Sequence, residues 1–319
     1  MKPITVLIPT QRRPESLDRA LRSLLVQADG AALIEAVVVV DNAPEASARA
    51  VVQAFAAEAP FPVRFVHEPR PGVATARNRG LAEIGTRLVA FLDDDETASP
   101  GWLSELHAVH SRFGADVTFG AIQGRAPDAP VAARAYLERF FSRKGPAESG
   151  LTEEVWGCGA SLMTRATALA GREPFDVACD QIGGEDDRLF QGVRGSGGRF
   201  AWAADALVEE HAPAHRATVA YALRRAFGYG QSPSQLAAQA GRPLAVAGWM
   251  VNGAAQALVF GAAAVGLRLA GRPAAYTLAD RAARGLGKLI WFRAPKLYGA
   301  AGLRRAQRAG ALALVTSAS

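Results

Sequence analysis

The first 120 residues alternate short apolar, β-branched runs with segments of helical periodicity, and this alternation restricts the possible folds more than any other feature. Because consecutive strands joined by helices pair in parallel with right-handed crossovers, we predict an α/β fold with a doubly wound, mostly parallel sheet. The predicted strands are residues 4–8, 37–40, 63–67 and 87–92, and the predicted helices are residues 14–27, 46–57 and 73–84.

Polar side chains follow three of these strands at their carboxyl ends: Thr10, Asp41 and the run Asp93–Asp95. Doubly wound sheets bind their ligands beyond the carboxyl ends of the strands. These residues are therefore predicted to meet at one edge of the sheet and to form a ligand site.

The run Asp93–Asp95 lies in the segment FLDDDETASPGWL, directly after an apolar strand. Adjacent carboxylates repel one another unless a cation is nearby, and oxygen ligands with open positions suit Mg²⁺ or Mn²⁺ bound jointly with a diphosphate. The alternative is a solvated acidic turn that caps a helix beginning near Pro100. The buried strand before the run favours the metal site.

Five segments, in order along the chain, resemble the family 2 inverting glycosyltransferases, which have the GT-A (nucleotide-diphospho-sugar transferase) fold. They are ITVLIPTQRRPESLDRALRSL, VVVVDNAP, RPGVATARNRGL, FLDDDETASPGWL and GGEDDRLFQGVRGSGGRFAW. The resemblance extends over about residues 3–230 and is greatest to bacterial exopolysaccharide (succinoglycan-type) glycosyltransferases. It implies a metal-dependent enzyme that moves one sugar from a nucleotide-sugar, a UDP-hexose, to a lipid-linked or oligosaccharide acceptor in cell-surface polysaccharide synthesis.

The resemblance also implies roles for residues on the donor side. A carboxylate accepts well from the N–H of uracil, which agrees with the implied contact between Asp41 and the base. The implied nucleotide-sugar contacts are Pro9, Thr10, Arg12, Asp41, Arg77, Asn78, Asp93 and Asp94. The implied metal ligands are Asp95, Asp93 and His211.

On the acceptor side, the resemblance implies that Asp186 is the general base and that Glu185 positions the acceptor or a neighbouring loop. Inversion needs one in-line attack, so a single base opposite the nucleotide is enough. Arg188 stands where the family often has another acidic residue, a departure that concerns acceptor specificity more than the chemistry. The Gln-x-x-Arg-Trp segment of processive members does not follow Gln231, which favours the addition of a single sugar.

Several of these residues also have a structural interpretation. Asp41 could close an Asx turn, and Glu185 and Asp186 could cap the helix that follows Gly184. Arg77 could be a surface charge on its helix, and His211 could be a loop histidine. Two further histidines, His107 and His110, are predicted to lie on the exposed face of a helix.

Charge divides the chain near residue 210. Residues 1–210 hold 22 Lys and Arg against 29 Asp and Glu, whereas residues 211–319 hold 14 Lys and Arg and one acid, Asp280. The basic part contains residues 243–267, which carry no charge and are long enough for a membrane-embedded or membrane-lying helix. A buried helix of a soluble domain is the alternative. The flanking basic residues would suit an anionic cytoplasmic leaflet.

We therefore predict a catalytic domain over residues 1–215, with a nucleotide-binding half (1–120) and an acceptor-side half (121–215). A basic helical region, residues 216–319, would place the enzyme at the cytoplasmic face of a bacterial inner membrane, peripherally or through one helix. No nucleic-acid partner is predicted, because the basic stretch lacks interleaved aromatic residues outside Trp291-Phe292. The alternatives are a polyprenyl-phosphate glycosyl synthase and a non-catalytic membrane adaptor that keeps the fold.

Overall fold

The computed structural model describes residues 3–293, which divide into two compact units. The first comprises residues 3–125 and 141–211, and the second comprises residues 126–140 and 212–293. In chain order the strands and helices are β1 (Ile4–Thr10), α1 (Pro14–Leu25), β2 (Ile34–Asp41), α2 (Arg49–Glu58), β3 (Val63–His67), α3 (Val73–Leu81), β4 (Leu88–Phe91), β5 (Glu96–Ala98), α4 (Trp102–Phe113), β6 (Val117–Arg125), α5 (Val131–Phe141), β7 (Gly150–Leu151), β8 (Ser161–Thr164), α6 (Glu185–Gly195), β9 (Phe200–His211), α7 (Val219–Gln239), α8 (Pro243–Leu269) and α9 (Ala274–Leu289).

The first unit is built on one sheet in the order β3-β2-β1-β4-β8-β6-β9-β5, with β7 paired to β9. The strands β3, β2, β1 and β4 are parallel, as predicted, and β6 and β9 are also parallel. Strand β8 lies antiparallel between β4 and β6, so the sheet is mixed beyond β4. The doubly wound architecture is thus confirmed, and the antiparallel insertion is the feature that the alternation of strands and helices did not reveal.

The sheet brings the predicted polar residues to one edge. Thr10 at the end of β1 is in register with Asp41 at the end of β2, and β4 leads directly into Asp93. Both faces of the sheet are covered by apolar clusters: one contains Phe55 and Trp102, and the other Phe91. These buried clusters fix the carboxyl ends of β1, β2 and β4 relative to one another.

Helix α3 packs unusually close to this edge because it carries Gly80. A Cβ atom there would overlap the side chain of Leu7 and lie 2.8 Å from Val40 Cγ2. In the preceding turn of α3, the Arg77 guanidinium lies 3.6 Å from Asp93 Oδ1, just after the end of β4. The helix is therefore held as a platform for the site.

One histidine prediction is wrong. His110 of α4 is 3% exposed, and its ring nitrogens form hydrogen bonds of 2.9 Å with Thr118 Oγ1 and Thr164 Oγ1. Burial lowers the pKa of His110 to about 4, so the ring is neutral at physiological pH. It is a hydrogen-bonded core residue rather than a surface one.

The second unit consists of α5 and the three long helices α7, α8 and α9. Helices α8 and α9 approach closely through glycines: a Cβ atom on Gly253 would lie 2.5 Å from the carbonyl oxygen of Gly285. Within the described residues, α8 alone is long and apolar enough to cross a membrane by length and composition, and 11% of its most apolar stretch is buried. The predicted apolar segment is thus a continuous helix, 27 residues long.

Candidate active site

The three carboxylates after β4 point to different partners. Asp94 accepts hydrogen bonds from Thr10 Oγ1 and from Arg13, each at 2.8 Å. The same Arg13 nitrogen donates to Asp95 Oδ2, also at 2.8 Å, and both of these acids are almost fully buried. Asp93 differs, because 37% of its side chain is exposed. The run therefore has two acids held internally and one that is accessible to a ligand.

Asp93 sits in a strongly negative environment. Desolvation and the charges of Asp95 and Asp186 raise the pKa of its carboxyl, although Arg77 acts in the opposite direction. Its backbone N–H donates to Glu96 Oε2 at 2.9 Å, which fixes the end of the strand. A cation near Asp93 would relieve the repulsion among these acids.

Arg77 joins the strand end to helix α6. Its guanidinium donates to Asp186 Oδ1 at 2.6 Å and to Glu185 Oε1 at 3.0 Å, and lies 3.6 Å from Asp93 Oδ1. Burial disfavours its positive charge, but Asp186 and the other negative groups outweigh this effect and raise the pKa of Arg77. Arg77 is buried, so its predicted alternative as a surface charge is wrong.

The acidic pair Glu185 and Asp186 begins α6, immediately after Gly184 in the left-handed conformation with φ of 92°. Asp186 is 21% exposed and also accepts a hydrogen bond from the backbone of Cys158 at 2.9 Å. Glu185 is 9% exposed, and burial together with the charge of Asp186 raises its pKa to about 7. A pKa near neutrality suits a general base, but access to an acceptor favours Asp186.

The segment Gly157–Gly159 lies against these acids. A Cβ atom on Gly159 would lie 2.6 Å from Glu96 Oε1 and 2.8 Å from Asp93 Oδ2, and one on Gly157 would lie 3.2 Å from Asp186 Oδ2. Arg143 donates to the carbonyl oxygens of Gly157 and Gly159 at 2.9 Å and 2.6 Å. The small residues thus leave room for the carboxylates on both sides of the site.

The predicted base-binding residue, Asp41, is fully buried. Its two carboxylate oxygens accept hydrogen bonds from the backbone N–H groups of Ala43 at 3.0 Å and Ala48 at 2.6 Å. This is the turn-forming geometry that the sequence allowed as an alternative to base binding. Its role toward a nucleotide base stays a prediction.

The other predicted donor-side residues are divided between the loop and the interior. Arg12 has a positive φ of 57° and forms an ion pair with Glu45, while Pro9 is the penultimate residue of β1. Asn78 is buried and exchanges two hydrogen bonds with the backbone of Phe175, at 2.8 Å and 3.0 Å. Asn78 therefore ties α3 to the segment before α6.

His211, predicted as a metal ligand, ends β9 beside the acid run. Its backbone N–H donates to the carbonyl oxygen of Asp95 at 2.7 Å, but its ring Nε2 bonds with Thr97 Oγ1 at 2.9 Å. Within residues 3–293, no three His, Cys, Asp or Glu side chains are grouped so that they could hold a metal ion. A cation here would need further ligands, such as the phosphates of a substrate.

Sequence reasoning missed three residues of this site: Arg13, Glu96 and Arg143. Arg13 adjoins the predicted loop residue Arg12, and Glu96 directly follows the acid run, so proximity to the motifs could have indicated both. Arg143 lies in a segment without a readable pattern, and only the fold brings it to Gly157–Gly159.

Comparison with known proteins places this site in context. The sequence matches the family profile described as Glycosyl transferase family 2 over residues 5–176. The chain is 35% identical over 237 residues to the succinoglycan biosynthesis protein ExoM of Rhizobium meliloti (strain 1021), covering 74% of this chain and 75% of that protein. Validoxylamine A glucosyltransferase of Streptomyces hygroscopicus subsp. jinggangensis (strain 5008) is 33% identical over 130 residues, 40% of this chain and 30% of that protein.

A solved structure resembles the fold. The crystal structure of S. aureus TarS superposes with a TM-score of 0.50 at 15% identity, over 70% of this chain and 38% of the TarS chain. This chain thus spans less than half of the TarS chain in that structure. At such low identity the likeness concerns the fold alone, and together with the observed sheet it confirms the predicted GT-A architecture.

Proposed function

Because the chain belongs to glycosyl transferase family 2, we propose that it transfers a single sugar from a nucleotide-sugar to an acceptor hydroxyl with inversion at the anomeric carbon. We further propose a UDP-hexose as donor, and a lipid-linked or oligosaccharide acceptor in cell-surface polysaccharide synthesis. The similarity to a protein of succinoglycan biosynthesis supports a role in polysaccharide synthesis.

The observation that carries the proposal is the position of Arg77 between two carboxylates. One guanidinium lies 2.6 Å from Asp186 and 3.6 Å from Asp93. A displacement needs a base at the incoming hydroxyl and stabilisation of charge at the departing diphosphate. In our proposal Asp186 serves the first need, and the edge of the sheet at Asp93 serves the second.

Asp186 is held for proton abstraction by contacts on both of its oxygens. Oδ1 accepts from Arg77, and Oδ2 accepts from the backbone of Cys158. These contacts fix the direction of the carboxylate, and a fixed base loses little freedom when the hydroxyl arrives. Asp186 would take the acceptor proton as the oxygen attacks the anomeric carbon, while Glu185 holds Arg77 in place.

A divalent cation, Mg²⁺ or Mn²⁺, is part of the proposal. The exposed carboxylate of Asp93, with Asp95 and Asp186 raising the negative potential around it, fits such an ion. Mg²⁺ commonly binds through one or two carboxylates plus substrate phosphates. Asp95 could take part only by exchanging its ion pair with Arg13. The cation would offset the negative charge that develops on the diphosphate.

The test compares Asp186→Asn with Asp187→Asn, two equal charge changes in the first turn of α6. Release of UDP from UDP-hexoses is measured with a membrane lipid extract as the acceptor source. We expect Asp186→Asn to lower turnover by about 10²–10⁴-fold, because the general base is lost, and the exposed Asp187→Asn to stay close to the parent.

Two further outcomes separate the parts of the proposal. Chelation with EDTA should stop turnover, and Mg²⁺ or Mn²⁺ should restore it; turnover that persists in EDTA would remove the cation from the mechanism. Substantial turnover by Asp186→Asn would contradict its role as base. It would favour a polyprenyl-phosphate glycosyl synthase, because a phosphate acceptor needs no strong base.

A further inference from the structure

A basic groove lies within the second unit, between α8 and α9. Its volume is about 280 Å³. Gln256 and Phe260 of α8 line one side, and Arg281, Arg284 and Lys288 of α9 line the other. Three cationic side chains therefore share one small opening.

The polar groups of the groove are organised by contacts between the two helices. Lys288 Nζ donates to Gln256 Oε1 at 2.6 Å, and the Arg281 guanidinium lies 5.3 Å from the centre of the Phe260 ring. Arg284 forms an ion pair with Asp280 at 2.7 Å. Asp280 is the single acid in residues 211–319, so the groove keeps an excess of positive charge.

The neighbouring cations of the groove repel one another, and a bound anion would reduce this repulsion. Partial burial and the nearby charge of Arg284 lower the pKa of Lys288. Guanidinium groups bind phosphate through paired hydrogen bonds, and an ammonium adds a compact charge. The chemistry of the groove therefore matches a phosphate group.

The same unit offers a large apolar surface on α8. Exposed side chains on this helix include Leu244, Val251, Leu258, Val259 and Val265. Scattered apolar residues are normal on a protein surface, but an exposed apolar run along one helix indicates an interaction site. A soluble anion would contact only the cationic side chains of the groove. A lipid offers an anionic group for those side chains and an acyl surface for the exposed apolar residues of α8.

We propose that the groove between α8 and α9 binds the anionic phosphate headgroup of a bilayer phospholipid. The inference rests on the membrane location that the sequence predicts, and it adds a defined headgroup site to a general attraction for an anionic surface. Arg281, Arg284 and Lys288 would donate to the phosphate, while α8 contacts the acyl region.

The test measures flotation of the full chain with vesicles of phosphatidylcholine, with and without phosphatidylglycerol. The variant Arg281→Gln/Lys288→Gln is compared with Arg165→Gln/Arg172→Gln, which removes the same charge from exposed positions of the first unit. Each cation near an anionic surface contributes about fivefold to partitioning. We expect the groove pair to lose about 30-fold and the control pair less than about threefold.

Charge-retaining Arg281→Lys/Lys288→Arg should bind anionic vesicles as the parent does. If the groove pair does not fold, the single variants Arg281→Gln and Lys288→Gln, each compared with Arg172→Gln, replace it. Equal losses in groove and control variants would overturn the site, since they would show diffuse charge. The site would also be overturned if flotation of the parent chain did not depend on phosphatidylglycerol. A strong loss of flotation in inorganic phosphate, relative to chloride at equal ionic strength, would show that the groove takes free phosphate instead of lipid.

Turnover of the nucleotide-sugar is measured on the same samples with detergent-dispersed acceptor extract. If a groove variant loses flotation but retains turnover, the groove binds the membrane and the proposed function is unaffected. Absent turnover with retained flotation contradicts the proposed function and leaves the headgroup site intact.

Discussion

Arg77 shows how one buried cation can organise several acids. A guanidinium taken out of water is unfavourable unless its hydrogen bonds and charge are matched, and here Asp186, Glu185 and Asp93 match it. The same contacts hold the proposed base and the proposed donor-side carboxylate in fixed relation. Its stabilising and functional roles therefore coincide.

We predict that Arg77→Met lowers the free energy of unfolding by about 3–5 kcal/mol, because it leaves the nearly buried Glu185 and the partly buried Asp186 without their counter-ion. Arg79→Met is the matched control on the same helix: Arg79 is 38% exposed and pairs with Glu83 one turn away. Arg79→Met should lower the free energy of unfolding by less than about 1 kcal/mol, the range of exposed ion pairs. Urea unfolding at neutral pH measures both, and similar losses would contradict the organising role of Arg77.

His110 should make stability depend on pH. The pKa of His110 falls from 6.5 to about 4 on folding. Between these pH values the imidazole is protonated in the unfolded chain and neutral in the folded chain. Stability contributed by the neutral ring is therefore complete above about pH 6.5 and is lost as the pH falls toward about 4. The loss amounts to about 3 kcal/mol at most.

Comparison of variants isolates this effect from other titrations. Urea unfolding of the parent and of His110→Gln at pH 7.5 and at about pH 4.5 should show a steeper loss of stability for the parent. Ser111→Ala, an exposed change on the same helix that removes no titratable group, should keep the parent's pH dependence. Parallel curves for parent and His110→Gln would show that the imidazole is not the group responsible.

At the scale of whole elements, the segment Gly157–Gly159 determines how much space the acids have. Ala at position 159 would place a Cβ atom 2.6 Å from Glu96 Oε1 and 2.8 Å from Asp93 Oδ2. One of these carboxylates must move, and displacements of about 1 Å can cost about 10²-fold in rate. We predict a loss of that order in sugar transfer for Gly159→Ala.

The control for this prediction is Gly150→Ala in β7, where a Cβ atom would meet nothing within 4 Å. It should change neither turnover nor thermal stability appreciably. For Gly159→Ala, the unfolding free energy should fall by no more than about 1–3 kcal/mol, as for other tight substitutions. Full transfer by Gly159→Ala would mean that the position of Asp93 is unimportant for the reaction.

The elements that could be predicted are those with a strong local pattern. Buried Val runs in β2 and the leucine face of α1 specify strand and helix within a few residues. The short strands β5 and β8, of three and four residues, have no such periodicity, and they depend on pairing with β9 and with β4 and β6.

The site divides in the same way. The resemblance to family 2 glycosyltransferases predicted that Asp93 and Asp186 belong to one site, and the structure joins them through Arg77. The internal pairing of Asp95 with Arg13 and the burial of Asp41 arise from contacts between distant segments, which no local pattern contains. Strand ends and the family resemblance thus identified the acids, and the packing of distant segments determines which of them remain accessible.

At the scale of the molecule, charge and apolar surface are concentrated in different parts of the chain. Residues 1–210 have more acids than bases, whereas residues 211–319 have 14 basic residues and one acid. The basic part also contains α8 with its exposed apolar side chains. Attraction to an anionic surface and burial of apolar groups would therefore act through the same part of the chain, but they respond differently to salt.

This difference gives a prediction for α8. Membranes from cells that express the full chain should retain it after a wash in high salt, because salt screens charge attraction but does not weaken apolar burial. Leu258→Asn/Val259→Asn replaces two exposed apolar side chains of α8. Each contributes about 1.5–3 kcal/mol when buried, so the bound-to-free ratio after the wash should fall by about 10²-fold or more.

The matched control, Val26→Asn/Leu151→Asn, removes exposed apolar side chains from the first unit and should remain with the membranes. Before the salt wash, Leu258→Asn/Val259→Asn should still be partly retained, because the basic groove is unchanged. If salt alone releases the parent chain, the apolar face of α8 does not enter the bilayer and the association is electrostatic. If both double variants are released equally, the apolar contribution is not specific to α8.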